Sequence, residues 1–359
     1  MTRRPIDGTA VVLCEASFGA SDGKTAHGLI RHTERYRVLA VIDSRLAGRD
    51  AGEVLDGTPV GIPIVRDLAD AERAAGRRPD YLVVGVATHG GTLPEACRPA
   101  LREALARGIN VDSGLHELLG DDAEFAALAR GTGARIRDVR RTPPRREMHA
   151  FTGEILQVTS VRLAVLGTDS AVGKRTTAVT LVGGLEAGGA RAVMIGTGQT
   201  AWMQGVRYGL ILDSLINDFV SGEIEHQVLR AFREERPDVI VVEGQGCLTN
   251  PGYPGGFEIL AAARPDGVVL QHAPARTHYD GFPGFPLAGI DREKAIIDLV
   301  CGAPVVAITL SHEGLTPGEV RRHAESYRAT YRVACCDPLL DGVDPVLREL
   351  RHRFPRIPG

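Results

Sequence analysis

Short apolar, β-branched runs alternate with longer Ala/Leu/Arg stretches of helical spacing along the whole chain. In the first part the runs fall at residues 10–14, 38–42, 81–86 and 110–111, and the helical stretches at 25–32, 68–75 and 93–107. This alternation predicts a parallel sheet with helices on both faces. Periodicity fails between residues 130 and 146, where seven arginines (130, 135, 137, 140, 141, 145, 146) gather and Pro143-Pro144 stops any helix. The pattern then restarts, with strands predicted at 162–166, 192–195, 239–242, 267–271 and 305–309. The fold class expected is α/β: a Rossmann-like parallel-sheet domain (1–140), a linker (141–158), and a P-loop NTPase-like parallel α/β domain (159–359).

Length and composition support two domains. A chain of 359 residues exceeds what one hydrophobic core usually serves. Apolar residues at 43% and charged residues at 24% exclude wholesale disorder. Lys+Arg is 42 against Asp+Glu 45, a net charge of -3, which argues against a nucleic-acid backbone as the main partner. No apolar run approaches the roughly 20 residues that span a bilayer. The opening Met1-Thr2-Arg3-Arg4-Pro5 shows no leader pattern. A cytoplasmic protein acting on small molecules is expected, without a membrane and as a homo-oligomer. The six cysteines (14, 97, 247, 301, 335, 336) match no zinc spacing and read as small buried apolar groups, with vicinal Cys335-Cys336 as a redox alternative. Glycine, at 43 residues, implies many backbone positions with positive φ or close approach to a ligand.

Asp43 closes the second run, where dinucleotide-binding folds often place an acid for a ribose hydroxyl. The first turn, residues 15–25, lacks the G-x-G-x-x-G spacing, so the first domain reads as Rossmann-like without NAD. Gly23-Lys24-Thr25 opens a helix and is either an anion site or a surface turn. The arginine cluster is either a solvated linker face or a hold for an anionic ligand or a neighbouring subunit.

The strongest motif is Gly167-Thr168-Asp169-Ser170-Ala171-Val172-Gly173-Lys174-Arg175-Thr176-Thr177, which follows a strand and opens a helix over 176–186. Successive amides and the helix start would hold phosphate oxygens, and an exposed Lys174 would add charge. Nucleotide hydrolases and kinases carry Ser or Thr directly after the lysine, for Mg²⁺. Arg175 stands there instead, with hydroxyls at Thr176 and Thr177, which suits a diphosphate held without metal.

A second apolar run ends in Glu243-Gly244-Gln245-Gly246, resembling the metal-side strand of phosphate-loop proteins. Dethiobiotin-synthetase-like enzymes show a similar Glu-Gly pair and Gly-Thr-Asp opening. Glu243 is a metal ligand, a partner of Lys174, a base, or a carboxylate pairing with a helix start. Two polar, glycine-rich loops complete the rim: residues 196–205, with Gln199 and then Arg207, and residues 271–283, with His272, Arg276 and His278. His312-Glu313-Gly314 follows the strand at 305–309.

Together Lys24-Thr25-Ala26-His27-Gly28-Leu29, Asp43-Ser44, the 167–177 loop, Gly196-Thr197-Gly198-Gln199, Glu243-Gly244-Gln245-Gly246 and His312-Glu313-Gly314 resemble the DgcN-like D-glutamate N-acetyltransferase family over nearly the whole chain. The resemblance implies acetyl transfer from acetyl-CoA, as co-substrate, to the amine of D-glutamate in D-amino-acid catabolism. A thioester is already activated, so neither ATP nor a catalytic metal is needed, and the diphosphate of CoA suits the loop. Gly167, Thr168, Gly173, Lys174, Arg175, Thr176 and Thr177 are then the cofactor-binding residues. Glu243, His272 or His278 is the base, and Arg276, Arg207 and Gln199 meet the substrate. The rival readings are an ATP-dependent kinase or ligase of the dethiobiotin-synthetase kind, using Glu243 and Thr176 on Mg²⁺, and a nucleotide-sensing protein without turnover.

Overall fold

The computed structural model describes residues 6–359; the opening segment Met1–Pro5, read above as carrying no leader, lies outside the described residues. Six strands form the first sheet: β1 (Gly8–Leu13), β2 (Tyr36–Ile42), β3 (Ile64–Val65), β4 (Tyr81–Val84), β5 (Asn110–Ser113) and β6 (Ile136–Asp138). All pairs are parallel in the order β3-β2-β1-β4-β5-β6, the Rossmann order. Between them lie α1 (Lys24–Arg31), α2 (Ala51–Asp56), α3 (Leu68–Ala75), α4 (Arg98–Ala106) and α5 (Ala123–Thr132).

The second sheet contains β7 (Val161–Gly167), β8 (Ala192–Gly196), β9 (Tyr208–Gly209), β10 (Val239–Glu243) and β11 (Gly267–His272). A hairpin of β12 (His278–Tyr279) and β13 (Phe282–Pro286) leads on to β14 (Val305–Leu310) and β15 (Ala334–Cys336). The sheet order is β15-β14-β11-β7-β10-β8-β9, again all parallel. Its helices are α6 (Lys174–Ala187), α7 (Gln199–Gln204), α8 (Asn217–Glu235), α9 (Phe257–Ala263), α10 (Gly289–Cys301), α11 (Pro317–Tyr331) and α12 (Asp344–Arg353). Alternate strand residues Ala164, Leu166, Ile240, Val242, Val268 and Leu270 share one core with α8, α9 and α10. Their neighbours Leu163, Val165, Val241 and Val269 are equally buried on the opposite face. Cover on both faces is why these strands read as continuous apolar runs.

Contacts divide the chain into two units, one running to Thr142 and taking in Gln199–Val206, the other comprising Pro143–Gly198 and Arg207–Gly359. The expected boundaries differ from this in two ways. The segment read as a linker is held on α8 from residue 149 onward: Glu223 accepts the His149 amide at 2.7 Å, and Glu225 accepts the amides of Thr152 and Ile155 at 2.6 and 3.0 Å. Residues 199–204, inside the 196–205 segment read as loop, form α7 within the first unit. There Gln204 Nε2 donates to the Gly28 and His32 carbonyls, and Arg35 lies 3.8 Å from the Trp202 ring centroid.

Within the first unit, the crevice at the β1 and β2 ends is filled by its own loop. Asp43 accepts the Phe18 amide at 3.0 Å and the Arg45 amide at 3.1 Å, and Phe18 is fully buried. The acid that a dinucleotide ribose would need is therefore engaged internally. Three of the seven arginines are also engaged: Arg137 binds Asp112, Arg140 binds the Gly114 carbonyl and Arg141 binds Asp121, whereas Arg130, Arg135, Arg145 and Arg146 are exposed. Cys335 and Cys336 are buried, and burial pushes each thiol up to about 12, which suppresses the reactive thiolate. Among the described residues no helix is long and apolar enough to cross a membrane.

Candidate active site at the phosphate loop

The loop joining β7 to α6 turns on two glycines. Gly173 has φ +104°, in the left-handed region. A side chain at Gly167 would begin 2.9 Å from Val172 and 3.0 Å from the Lys174 stem, so the missing Cβ gives the lysine room to fold back over its own loop. The cap residue Gly173 offers no side chain to the first amides of α6, which therefore point outward as donors. This is the anion-binding geometry expected of a strand–loop–helix phosphate site.

Lys174 is not exposed, as the sequence suggested, but only 7% accessible, and its ammonium donates to the Asp169 carbonyl at 2.7 Å. Burial pulls its pKa down to about 8. Thr176 is half-buried, its hydroxyl meeting no partner among the described residues, whereas Thr177 is buried and donates to Gln271 Oε1 at 2.5 Å. Glu243, at the end of β10, is 3% exposed, and its Oε2 accepts the Thr197 amide at 2.9 Å. Burial raises its pKa, opposed by Arg175, the Thr197 amide and Lys174.

Asp169, within the 167–177 motif, has a role that its sequence position alone does not reveal. Its carboxylate is fully buried and accepts from Ser170 N, Asn250 Nδ2, Arg276 Nη1 and Asp280 N, all between 2.7 and 2.9 Å. Asn250 in turn accepts the amides of Gly252 and Tyr253. Three loops are thus tied to the phosphate loop through one side chain. The visible signal was an acid inside a glycine-rich loop, with arginine and asparagine at other strand ends.

The remaining expected residues separate. His272 ends β11, is buried, and bonds through Nδ1 to Thr168 Oγ1 at 2.8 Å; burial, with His323 nearby, lowers its pKa to about 4. His278 lies exposed on β12 beside Thr277. Arg276 is brought to the loop but is not a free cation. It donates to Asp169 at 2.9 Å, to the Ser170 carbonyl at 2.7 Å, to the Ala171 carbonyl at 3.4 Å, and through Nε and Nη2 to Glu313. Its five N–H groups are occupied by the protein, so the geometry makes it a strap on the loop rather than an open carboxylate receptor. Arg207 is not brought to the site. It is exposed and pairs with Glu234 and Glu235 at the carboxyl end of α8, the end that leads into the start of β10, away from the strand ends that carry the loop. Gln199 opens α7 in the first unit, against Gly114.

A phosphate loop on an all-parallel sheet, joined on one chain to a Rossmann-like sheet, defines a two-domain α/β protein of the P-loop class. Residues 149–347 match the P-loop domain of unknown function DUF1611, and residues 44–142 match its Rossmann-like amino-terminal partner. The chain belongs to this family. It is 32% identical to a D-glutamate N-acetyltransferase of Tritonibacter scottomollicae, over 67% of this chain and 70% of that protein. A D-glutamate N-acetyltransferase of a Pseudoalteromonas species is 30% identical, over 75% and 80%. The crystal structure of a DUF1611 family protein from Anabaena variabilis superposes with a TM-score of 0.87 at 28% identity, covering 96% of this chain and 99% of that one.

Proposed function

We propose that this protein is an N-acetyltransferase that moves acetyl from acetyl-CoA to the amine of D-glutamate. The observation that carries the reading is the phosphate loop with Arg175 after its lysine, in a chain that matches two D-glutamate N-acetyltransferases over most of their length. The outward amides of α6, Lys174, Arg175 and Thr176 suit a diphosphate whose charge is met by protein cations. In the reaction the substrate ammonium loses a proton, the free amine attacks the thioester carbonyl, and the tetrahedral intermediate collapses with cleavage of the C–S bond. The CoA thiolate takes up a proton as it leaves.

Glu243 is the base in this reading. Burial makes its carboxylate more basic than an exposed one, whereas a histidine with a pKa near 4, such as His272, binds a proton weakly at neutral pH. Glu243→Gln keeps an oxygen for the Thr197 amide and removes the proton acceptor. It should lower kcat by roughly 10²-fold or more while the fold is retained. The test is to incubate the full chain with acetyl-CoA and D-glutamate and to measure free thiol together with N-acetylglutamate by mass spectrometry. Stoichiometric appearance of both supports the reading. No product, or product only when ATP and Mg²⁺ are supplied, overturns it.

A further inference from the structure

Gln271 is a side chain at the phosphate loop that is held in place through its oxygen while its nitrogen keeps hydrogen-bonding capacity. It stands in β11 directly beside Gly167 of β7, and its carbonyl accepts the Thr168 amide at 3.0 Å. The side chain is 98% buried, given its 2% exposure. Its Oε1 accepts two hydroxyls, Thr177 Oγ1 and Thr309 Oγ1, each at 2.5 Å. Two acceptor bonds on one oxygen fix the amide plane, so Nε2 has one direction to face. That atom lies 3.6 Å from the point where a side chain at Gly173 would begin, at the turn that opens α6. No protein acceptor meets it among the described residues, and it is not among the sealed, unpartnered polar atoms, which are Glu72 Oε1, Arg98 Nε and Gln204 Oε1.

An amide N–H₂ that no protein acceptor meets, on an otherwise buried side chain, is left to donate to water or to a ligand oxygen at the opening of the loop. The Lys174 ammonium, in the field of the Asp169 and Glu243 carboxylates, follows that turn in sequence, and the first amides of α6 add donors without a side-chain cap. The partner that satisfies this set is an oxygen-rich anion. We infer that Gln271 is a phosphate-binding residue of this loop, its Nε2 donating to an oxygen of a diphosphate seated at the start of α6, with Thr177 and Thr309 as the residues that aim it. The inference rests on the phosphate-loop part of the proposed function and adds a specific donor to it. Thr177 therefore acts through Gln271, and the hydroxyl left for the ligand itself is that of Thr176.

The test uses the full-length protein and two probes, inorganic pyrophosphate and CoA, in calorimetric titrations at pH 8. Gln271→Glu keeps an oxygen acceptor for both threonines and replaces the donor by a negative charge. Its dissociation constant for pyrophosphate should rise by roughly tenfold or more over the wild type, because a charge-assisted bond is lost and a repulsion added. Gln271→Met removes the donor without adding charge and guards against misfolding of the first variant; a rise of at least about fivefold is expected. Circular dichroism melts identify which variants are folded. Affinity within twofold of wild type in a folded variant overturns the inference, and so does a wild-type protein that does not bind pyrophosphate. Loss of pyrophosphate binding in the variants, in a protein that binds no CoA, upholds Gln271 and removes the acyl-donor reading alone. Equal loss for pyrophosphate and CoA upholds both.

Discussion

Lys174 combines two properties that surface lysines do not share. Its stem covers Gly167, and its ammonium, drawn down to about 8 by burial, is near the point of losing its charge at physiological pH. Phosphate oxygens favour the charged form, so binding takes up a proton once the free site has begun to deprotonate. The affinity for CoA should therefore fall as pH rises past about 8, and titrations of Lys174→Met across that range should show no such fall. At pH 7 the same variant, which keeps the stem, should bind more weakly by about 1.5–3 kcal/mol, the worth of a charged hydrogen bond. His272 gives a second pH signature, this time in stability. Its pKa is lowered from 6.5 to about 4 by burial, so the unfolded chain binds the proton more tightly. Stability is complete above about 6.5 and is lost as pH falls toward 4, by roughly 3 kcal/mol at most. Denaturant melts should show a shallower acid decline in His272→Gln; equal declines would mean that another group carries the effect.

At the scale of elements, the loop between β7 and α6 is strapped from outside. Arg276 joins the Ser170 and Ala171 carbonyls to Asp169 and Glu313, and Asp169 collects Asn250 and the Asp280 amide. Arg276→Ala removes these bonds together. Its apparent KM for acetyl-CoA should rise at least as much as that for D-glutamate in steady-state assays. An effect on D-glutamate alone would return Arg276 to the acceptor site. Arg276→Lys should restore little, since an ammonium cannot span the carbonyls and two carboxylates at once.

The strands β1, β2, β4, β5, β7, β8, β10, β11 and β14 and the helix α6 were legible in the sequence, because burial on both faces leaves continuous β-branched runs and because the 167–177 motif has a fixed local geometry; the short strands β3, β6, β9 and β15 and the β12–β13 hairpin were not, being two to five residues long. Other features were not legible. Helix α7 is six residues long and glycine-flanked, so it carries too little periodicity to register. The carboxylates Glu223 and Glu225 sit on a helix, where acids ordinarily face water, and only the folded chain shows that they hold residues 149–155. Arg207 and Arg276 look alike in sequence. Their fates differ because one meets two glutamates of α8 and the other meets the loop.

At the scale of the whole molecule, two parallel sheets of different connectivity share one chain, and the phosphate loop lies on the second. The first sheet has the Rossmann order, but its crevice is filled by Phe18 and its acid is spent on backbone amides. The net charge of -3 leaves local cations, rather than a global field, to attract an anionic ligand. In the proposed function the phosphate loop that opens α6 holds the diphosphate of CoA with protein groups in place of a metal. The measurement that meets it most directly is the melting temperature of the full chain with CoA, acetyl-CoA, ATP or GTP, each in EDTA and in Mg²⁺. Ligand bound to the native state raises the transition by mass action, so a hundredfold excess over Kd is worth about 2.7 kcal/mol. CoA and acetyl-CoA should raise it equally in EDTA and in Mg²⁺; a rise confined to ATP or GTP with Mg²⁺ would contradict the account.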